Sequence, residues 1–413
     1  MSQQPYKIAG VVGMNNRLPD YKNRIGEKSY VRNAVNVDAT DGLTLKRRKG
    51  VERLLSGDDV HSLWSAEGHA YFVDYQELHR VALDTFEDDP NYGSVVAGRR
   101  VSYTLLPDGS ALAMNGVDAH WLVLGEASPR PFYVPRPATD PLLTYSAGGS
   151  LPVGFYQVVY TLVDAYGREG PATLPQVLEL TAPGTLTVSD VDQSVGYTPV
   201  VYMTHANGDV FFEVPLTIIA GVGTISVMQP TGRRCPTLLM DNMPCGTIVR
   251  SNNGRLFTAS GNVLYYSEPY SLSHNPLKGF IPFAAPITMV EPCGNGLYVA
   301  AGQTYWLGGD IASAGLSTVL PYGAVAGAAS GTETDTNVWW MSTRGIVLGN
   351  ENGQVKNIQE AEVAVNPGQA GAALFREQDG VRQLIASVFG ARSTVAAAGT
   401  WMEAEIGRKE TIL

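Results

Sequence analysis

The sequence predicts an all-β protein: a six-bladed β-propeller carrying an inserted immunoglobulin- or fibronectin-like β-sandwich domain. Three observations predict it. Short apolar or alternating runs bounded by turn formers recur along the chain, long amphipathic helical periodicity is missing, and hairpin-like units return at a fixed spacing. Composition agrees, because 45 glycines in 413 residues and only 16% charged residues depart from the usual ~7% and ~25% in the direction of a turn-rich strand protein. The 44% apolar content, with 20 Tyr, 11 Phe and 6 Trp, is enough for a sizeable core.

Ala70-Tyr71-Phe72-Val73, Trp121-Leu122-Val123-Leu124, residues 155–162, Val263-Leu264-Tyr265-Tyr266, Leu297-Tyr298-Val299-Ala300 and Val338-Trp339-Trp340-Met341 read as strands. Between them lie Gly, Asn-Gly, Asp-Gly and Pro, which supply positive or fixed φ for tight turns. The clearest helix candidate, residues 357–365, is short. Aligning the turn-plus-strand units exposes the period. Asn253-Gly254 precedes Leu256-Phe257; 42 residues later Asn295-Gly296 precedes Leu297-Tyr298; another 42 reach Asn337 before Val338-Trp339, and a further 42 reach Asp379-Gly380. Upstream, Asp108-Gly109 and Gly68 fit the same frame, so six units sit near 68, 109, 254, 296, 338 and 380. A period of about 40–45 residues with a hairpin in each unit is the pattern of propeller blades.

The spacing from 109 to 254 leaves 103 residues beyond one period, the size of one sandwich domain. Within it, residues 154–164, 178–181, 185–188, 199–204, 211–214 and 224–227 have strand character. The expected organisation is therefore a basic N-terminal segment over 1–56 that is partly a propeller strand, blades over 57–136, the sandwich over 137–238, and blades over 239–413 with a closing C-terminal strand at 395–398 or 400–403.

Charge is uneven. Residues 1–56 hold eleven bases and five acids, +6, so a chain of net −10 has −16 on its remaining body. An acidic body argues against gripping nucleic acid by phosphate neutralisation. Three cysteines without a C-x-x-C pair suit a protein made in a reducing cytosol, with no disulfide framework and buried free thiols expected. Neither a signal peptide nor a transmembrane helix is expected.

No catalytic, cofactor or metal residue is assigned. His61, His69 and His79 lack ligand spacing, Gly221-Val222-Gly223 lacks the third glycine of a dinucleotide loop, and no nucleophile elbow or Walker loop occurs. Glu87-Asp88-Asp89, Asp190-Val191-Asp192 and Glu333-Thr334-Asp335 read as solvated turn acids rather than a calcium site or glycosidase pair. Tyr265-Tyr266, Tyr305-Trp306 and Trp339-Trp340 recur at equivalent positions and read as packing between blades, with a sugar-binding platform as the alternative.

Gly10-Val11-Val12-Gly13-Met14-Asn15-Asn16-Arg17-Leu18-Pro19, Val31-Arg32-Asn33-Ala34-Val35-Asn36-Val37-Asp38, Gly42-Leu43-Thr44-Leu45-Lys46-Arg47-Arg48-Lys49-Gly50 and the run from Asn253-Gly254-Arg255 through Tyr265-Tyr266-Ser267-Glu268-Pro269 resemble tail nozzle proteins of short-tailed bacteriophages, also called packaged-DNA stabilisation or tail hub proteins. Gly154-Phe155-Tyr156 and Tyr166-Gly167-Arg168-Glu169-Gly170-Pro171 fit the fibronectin-like insert of that group. The resemblance implies a non-enzymatic virion protein, made in the host cytoplasm. It implies a homo-hexameric ring below the portal and adaptor proteins, closing the DNA channel until double-stranded DNA passes at infection. Tail fibres and the host outer surface would be further partners. Asn15, Asn16, Arg17, Lys46, Arg47, Arg48 and Lys49 are the expected subunit or adaptor interface, since a basic segment suits docking onto an acidic neighbour; the alternative is that Lys46-Arg47-Arg48-Lys49 is a solvated strand end. The alternative is a carbohydrate-binding or carbohydrate-cleaving propeller used in host attachment.

Overall fold

A computed structural model describes residues 10–17, 19, 22, 24–25, 28–32, 37–39, 43–47, 57–313, 315–331, 336–363, 368, 370–378, 381–389 and 400–406. Among the described residues there is no α-helix, and the strands form small, mostly antiparallel sheets. Contacts divide the chain into two compact units, Val60–Ser260 with Leu264–Ile281, and Met1–Asp59 with Gly261–Val263 and Pro282–Leu413.

The first of these units opens with two four-stranded meanders. One runs Val60–Ala66, His69–Asp74, Glu77–Ala82, Asp88–Ser94, and the other Ser102–Leu105, Ala111–Met114, Ala119–Leu122, Arg130–Pro131, each in chain order. Ile248–Asn252, Arg255–Ser260, Val263–Tyr266 and Phe280–Pro282 form another in the same order. Local sequence explains the hairpins. Glu67 (φ 49°) and Gly68 (φ 76°) place both central residues left-handed between the paired Ala66 and His69. Asn253 (φ 49°) and Gly254 (φ 71°) repeat that geometry between Asn252 and Arg255. This is the two-residue loop whose twist matches the flanking strands, and Asn-Gly is its favoured pair.

Alternation then sorts the core. In Ala111–Met114 every residue is buried. Ala111 and Ala113 join Tyr71, Val73, Tyr92 and Tyr103 on one face, while Leu112 and Met114 join Met243, Val249 and Leu256 on the other. A strand buried on both faces reads as an unbroken apolar run.

Between the second and third meanders lies a module of two facing sheets. Leu142–Leu151, Gly184–Ser189 and Gly223–Ile225 form one, with Gly184–Ser189 central. The other has the order Gln176–Leu180, Gly154–Asp164, Tyr197–Met203, Phe212–Glu213. Their inward residues, among them Tyr156, Val158, Tyr160, Leu186, Val188, Val201 and Met203, share one core.

The second unit repeats the meander. Met289–Cys293, Gly296–Ala301, Gln303–Gly308 and Leu316–Leu320 form one sheet; Ala324–Gly331, Asn337–Ser342, Gly345–Asn350 and Val355–Asn357 form the next. Ala370–Gln378, Val381–Phe389 and Thr400–Ile406 follow as three antiparallel strands, joined to Ala324–Gly331 by one parallel bridge at Ala326 and Ala370. Trp340 packs with Tyr298 and Met289 on one side of its sheet, and Trp339 with Leu384 and Ala386 on the other.

Several expectations are corrected. Residues 357–363 are not helical: Val355–Asn357 is a strand, and Asn357 Oδ1 accepts the amides of Gln359 and Glu360, closing a single turn. Such side-chain bonds to nearby amides offer the chain an alternative to a helix. The described N-terminal strands join none of the repeat sheets. Val11–Met14 and Arg24–Ile25 flank Lys28–Val31, and Val37–Ala39 pairs with Leu45–Arg47. Thr400–Ile406 pairs with Val381–Phe389 of its own meander, no N-terminal strand pairs with it among the described residues, and residues 395–398 lie outside the described residues. The strand expected at Trp121 to Leu124 is Ala119–Leu122, because Val123 O accepts the Glu126 amide in a turn.

Candidate functional site

Of the expected interface residues, Asn15 is buried. Its amide donates to Val31 O at 2.8 Å and its Oδ1 accepts the Arg17 amide at 3.1 Å, so it shapes a turn and presents little surface. Asn16 is half-buried, its amide donating to Glu362 O at 3.1 Å. Arg17, Lys46 and Arg47 are exposed, as are Lys22, Arg24 and Arg32; Arg48 and Lys49 lie outside the described residues. Lys46 and Arg47 sit on Leu45–Arg47, and Val11 donates to Leu43 O, which ties that hairpin to the first N-terminal strand. Of the expected interface, Arg17, Lys46 and Arg47 are thus exposed and Asn15 is not, and Asp38 stands opposite Lys46 in the pairing of Val37–Ala39 with Leu45–Arg47.

Three of the acidic residues, Asp88, Asp89 and Asp192, are bonded to protein partners. Asp88 and Asp89 belong to the strand Asp88–Ser94, not a turn. Asp88 Oδ1 lies 3.0 Å from His79 Nδ1, and Asp89 Oδ2 accepts from Arg80 at 3.1 Å. Asp192 accepts the Ser194 hydroxyl at 2.7 Å and the Ala138 and Ser194 amides, and these bonds, the hydroxyl's above all, hold its carboxyl below the usual range. Glu333 and Asp335 lie outside the described residues. Among the described residues no three His, Cys, Asp or Glu side chains gather as a metal site. Cys293 is buried, whereas Cys235 and Cys245 are half-buried, which corrects the expectation for those two. Burial still pushes the Cys235 thiol to about 11, so it is a poor nucleophile.

Two features escaped the sequence. A groove of about 790 Å³ runs between the first two meanders, lined by Glu77, Asn91, Asp118, His120 and Pro129. Its polar groups hold the sheets together: His120 Nε2 is 2.9 Å from Ser94 O, and Asp118 Oδ2 accepts the Val96 amide at 2.7 Å. The other is the anchorage of the two-sheet module. Arg130 stacks 3.6 Å over Tyr166 and Arg168 4.8 Å from Trp121, while Arg168 donates to Phe132 O and Arg136 to both Ala172 O and Met240 O. Only the fold shows that Pro129-Arg130-Pro131 and Tyr166-Gly167-Arg168 clamp one another. Cation–π contacts of this kind contribute about 0.5–2 kcal/mol each.

His274 adds a pH dependence. It is buried, with Nδ1 2.9 Å from Ser271 Oγ, and burial lowers its pKa below the ordinary 6.5 against a weaker opposing pull from Glu169. The unfolded chain therefore binds more protons below that value. The contribution of His274 is full above pH 6.5 and falls as pH drops toward its folded pKa. Denaturation midpoints followed from pH 7 to 5 should decline less steeply in His274→Gln than in the native chain.

No protein-family profile and no curated protein matches the chain. Among solved structures, BBS1N in complex with ARL6DN is 13% identical over 82% of this chain and 93% of its own, with a TM-score of 0.34. AztD from Citrobacter koseri is 11% identical over 75% and 74%, with a TM-score of 0.31. PorZ of the type-IX secretion system of Porphyromonas gingivalis is 12% identical, with a TM-score of 0.22; the match covers 84% of this chain and 56% of PorZ. Likeness at this level assigns neither a fold family nor a function.

Proposed function

We propose that the six meanders are the blades of one β-propeller, that the two-sheet module is its fibronectin-like insert, and that the protein is a non-enzymatic structural component of a phage virion. In this reading six copies form the nozzle ring at the end of a short tail, holding packaged DNA until ejection. One observation carries the propeller. The repeat near 42 residues falls on the second strand of every meander, at His69–Asp74, Ala111–Met114, Arg255–Ser260, Gly296–Ala301, Asn337–Ser342 and Val381–Phe389. A repeat that keeps one place in successive stacked sheets is what radial repetition requires.

The tail role rests on the resemblance, and charge supports it. A body of net −16 lets a duplex slide past without phosphate neutralisation, and the exposed Arg17, Arg24, Arg32, Lys46 and Arg47 suit docking to an acidic adaptor or neighbouring subunit. Burial removes Trp339, Trp340 and Tyr266 from a sugar platform, while Tyr265, Tyr305 and Trp306 are half-buried. Native mass spectrometry and negative-stain images of the purified protein provide the test: a sixfold ring with a central channel is expected, and a persistent monomer would remove the reading.

A further inference from the structure

The groove between the first two meanders has fixed walls and polar groups to spare. A Cβ on Gly93 would lie 2.7 Å from Pro129, so the meanders meet there without slack, and His120 and Asp118 tie them together. Other polar side chains that line it take no part in this. Among the described residues, the side chains of Gln76, Asn91 and Ser128 hydrogen-bond to no protein group, and the Glu77 carboxylate is exposed. Charge then limits what can enter. No Lys or Arg lines the groove, whereas Glu77 and Asp118 do, so phosphate, sulfate and carboxylate groups are repelled. A cation finds little to hold it either, because Asp118 Oδ2 already accepts the Val96 amide and the Asn115 side chain, and Glu77 Oε2 lies 3.9 Å from His79 Nε2. Strand addition is blunted. The outermost strands of both meanders line the groove and carry proline there, Pro90 in Asp88–Ser94 and Pro131 in Arg130–Pro131, and proline has no amide to give to an added strand.

We propose that this groove binds a short neutral oligosaccharide, with Gln76, Glu77, Asn91 and Ser128 as its hydroxyl partners. Side-chain amides both donate and accept, and a carboxylate accepts twice, so together they match the paired hydroxyls of a sugar ring. The proline rings offer apolar contact to its C–H faces. The volume of about 790 Å³ falls in the range of roughly 300–1,000 Å³ usual for small-molecule sites, and the fixed walls lower the ordering cost of binding. Both meanders belong to one compact unit. The site therefore needs no second copy and stands whether or not the chain forms a ring.

The experiment probes an array of neutral and acidic oligosaccharides with the full chain and titrates the retained sugars by calorimetry, with spermidine as a cationic comparison. Neutral oligosaccharides should be retained, and acidic ones and spermidine should not. Gln76→Ala and Asn91→Ala, both at exposed positions where folding is checked by circular dichroism, should each weaken the titrated affinity about tenfold, the upper range for one hydrogen bond. Val195→Ala, at a 98% exposed position on the inserted module, should leave it unchanged. An array that retains no neutral sugar overturns the inference, as does a preference for acidic sugars or spermidine. So does a neutral sugar whose affinity both groove variants leave intact, since it then binds elsewhere on the chain.

Discussion

Trp340→Ala is expected to lower the stability of its unit by about 3–5 kcal/mol, the range for removing a large buried aromatic from a core that cannot collapse into the space. Trp340 is fully buried, with its ring 5.2 Å from Tyr298, and Tyr298 in turn lies 4.5 Å from Trp306. Neighbours cannot relax easily. Gly349 has no room even for a methyl, because a Cβ there would sit 2.6 Å from the Tyr298 ring, and the Tyr298 hydroxyl is fixed by donation to Asn350 O at 2.6 Å. The row Tyr298, Trp340, Met289 and Val347 spans two meanders of one unit, so the substitution loosens their stacking as well as one sheet. Urea unfolding followed by the fluorescence of the remaining tryptophans gives the shift in midpoint. A shift no larger than that of Val355→Ala, at a half-buried position on the rim of the same cluster, would contradict this account.

How much of this was legible in the sequence depended on burial. Two second strands are buried on both faces, Ala111–Met114 and Gly296–Ala301, where every residue is buried, and such runs stand out against their turns. Outer strands do not. Asp88–Ser94 carries Asp-Asp-Pro-Asn and is mostly exposed, so its acids read as a turn until pairing with Glu77–Ala82 places them opposite Val81 and Arg80. Leu142–Leu151 was missed because it is an edge strand of small and hydroxyl residues with a bulge between Ala147 and Leu151. An edge exposes one side and needs no hydrophobic period. The candidate interface divides the same way. Exposed cations were visible from charge, whereas the burial of Asn15 follows from backbone bonds to Val31 that sequence spacing does not encode.

Glu169→Ala should be the most damaging charge removal in the inserted module, at about 2–4 kcal/mol from the hydroxyls it leaves unpaired. The Glu169 carboxylate is buried and accepts from Thr161 Oγ1 and Tyr202 OH, each at 2.6 Å, and from Arg233. Thr161 and Tyr202 have no solvent access, so losing their acceptor strands two donors that water cannot reach. Burial first, and then the bond to Glu169, raises the Tyr202 pKa, which keeps its proton in place as a donor through neutral pH. Arg233 contributes less than its short contact suggests. Its side chain is 48% exposed and also reaches Glu213 Oε2 at 3.3 Å, so it returns to solvent at little cost. These inequalities make the prediction sharp. Arg233→Ala should cost less than Glu169→Ala, and in a double-mutant cycle Tyr202→Phe should recover part of the Glu169→Ala loss by removing a stranded donor. Additive losses in that cycle would mean that the carboxylate does not act through Tyr202, leaving Thr161 and Arg233 as its effective partners.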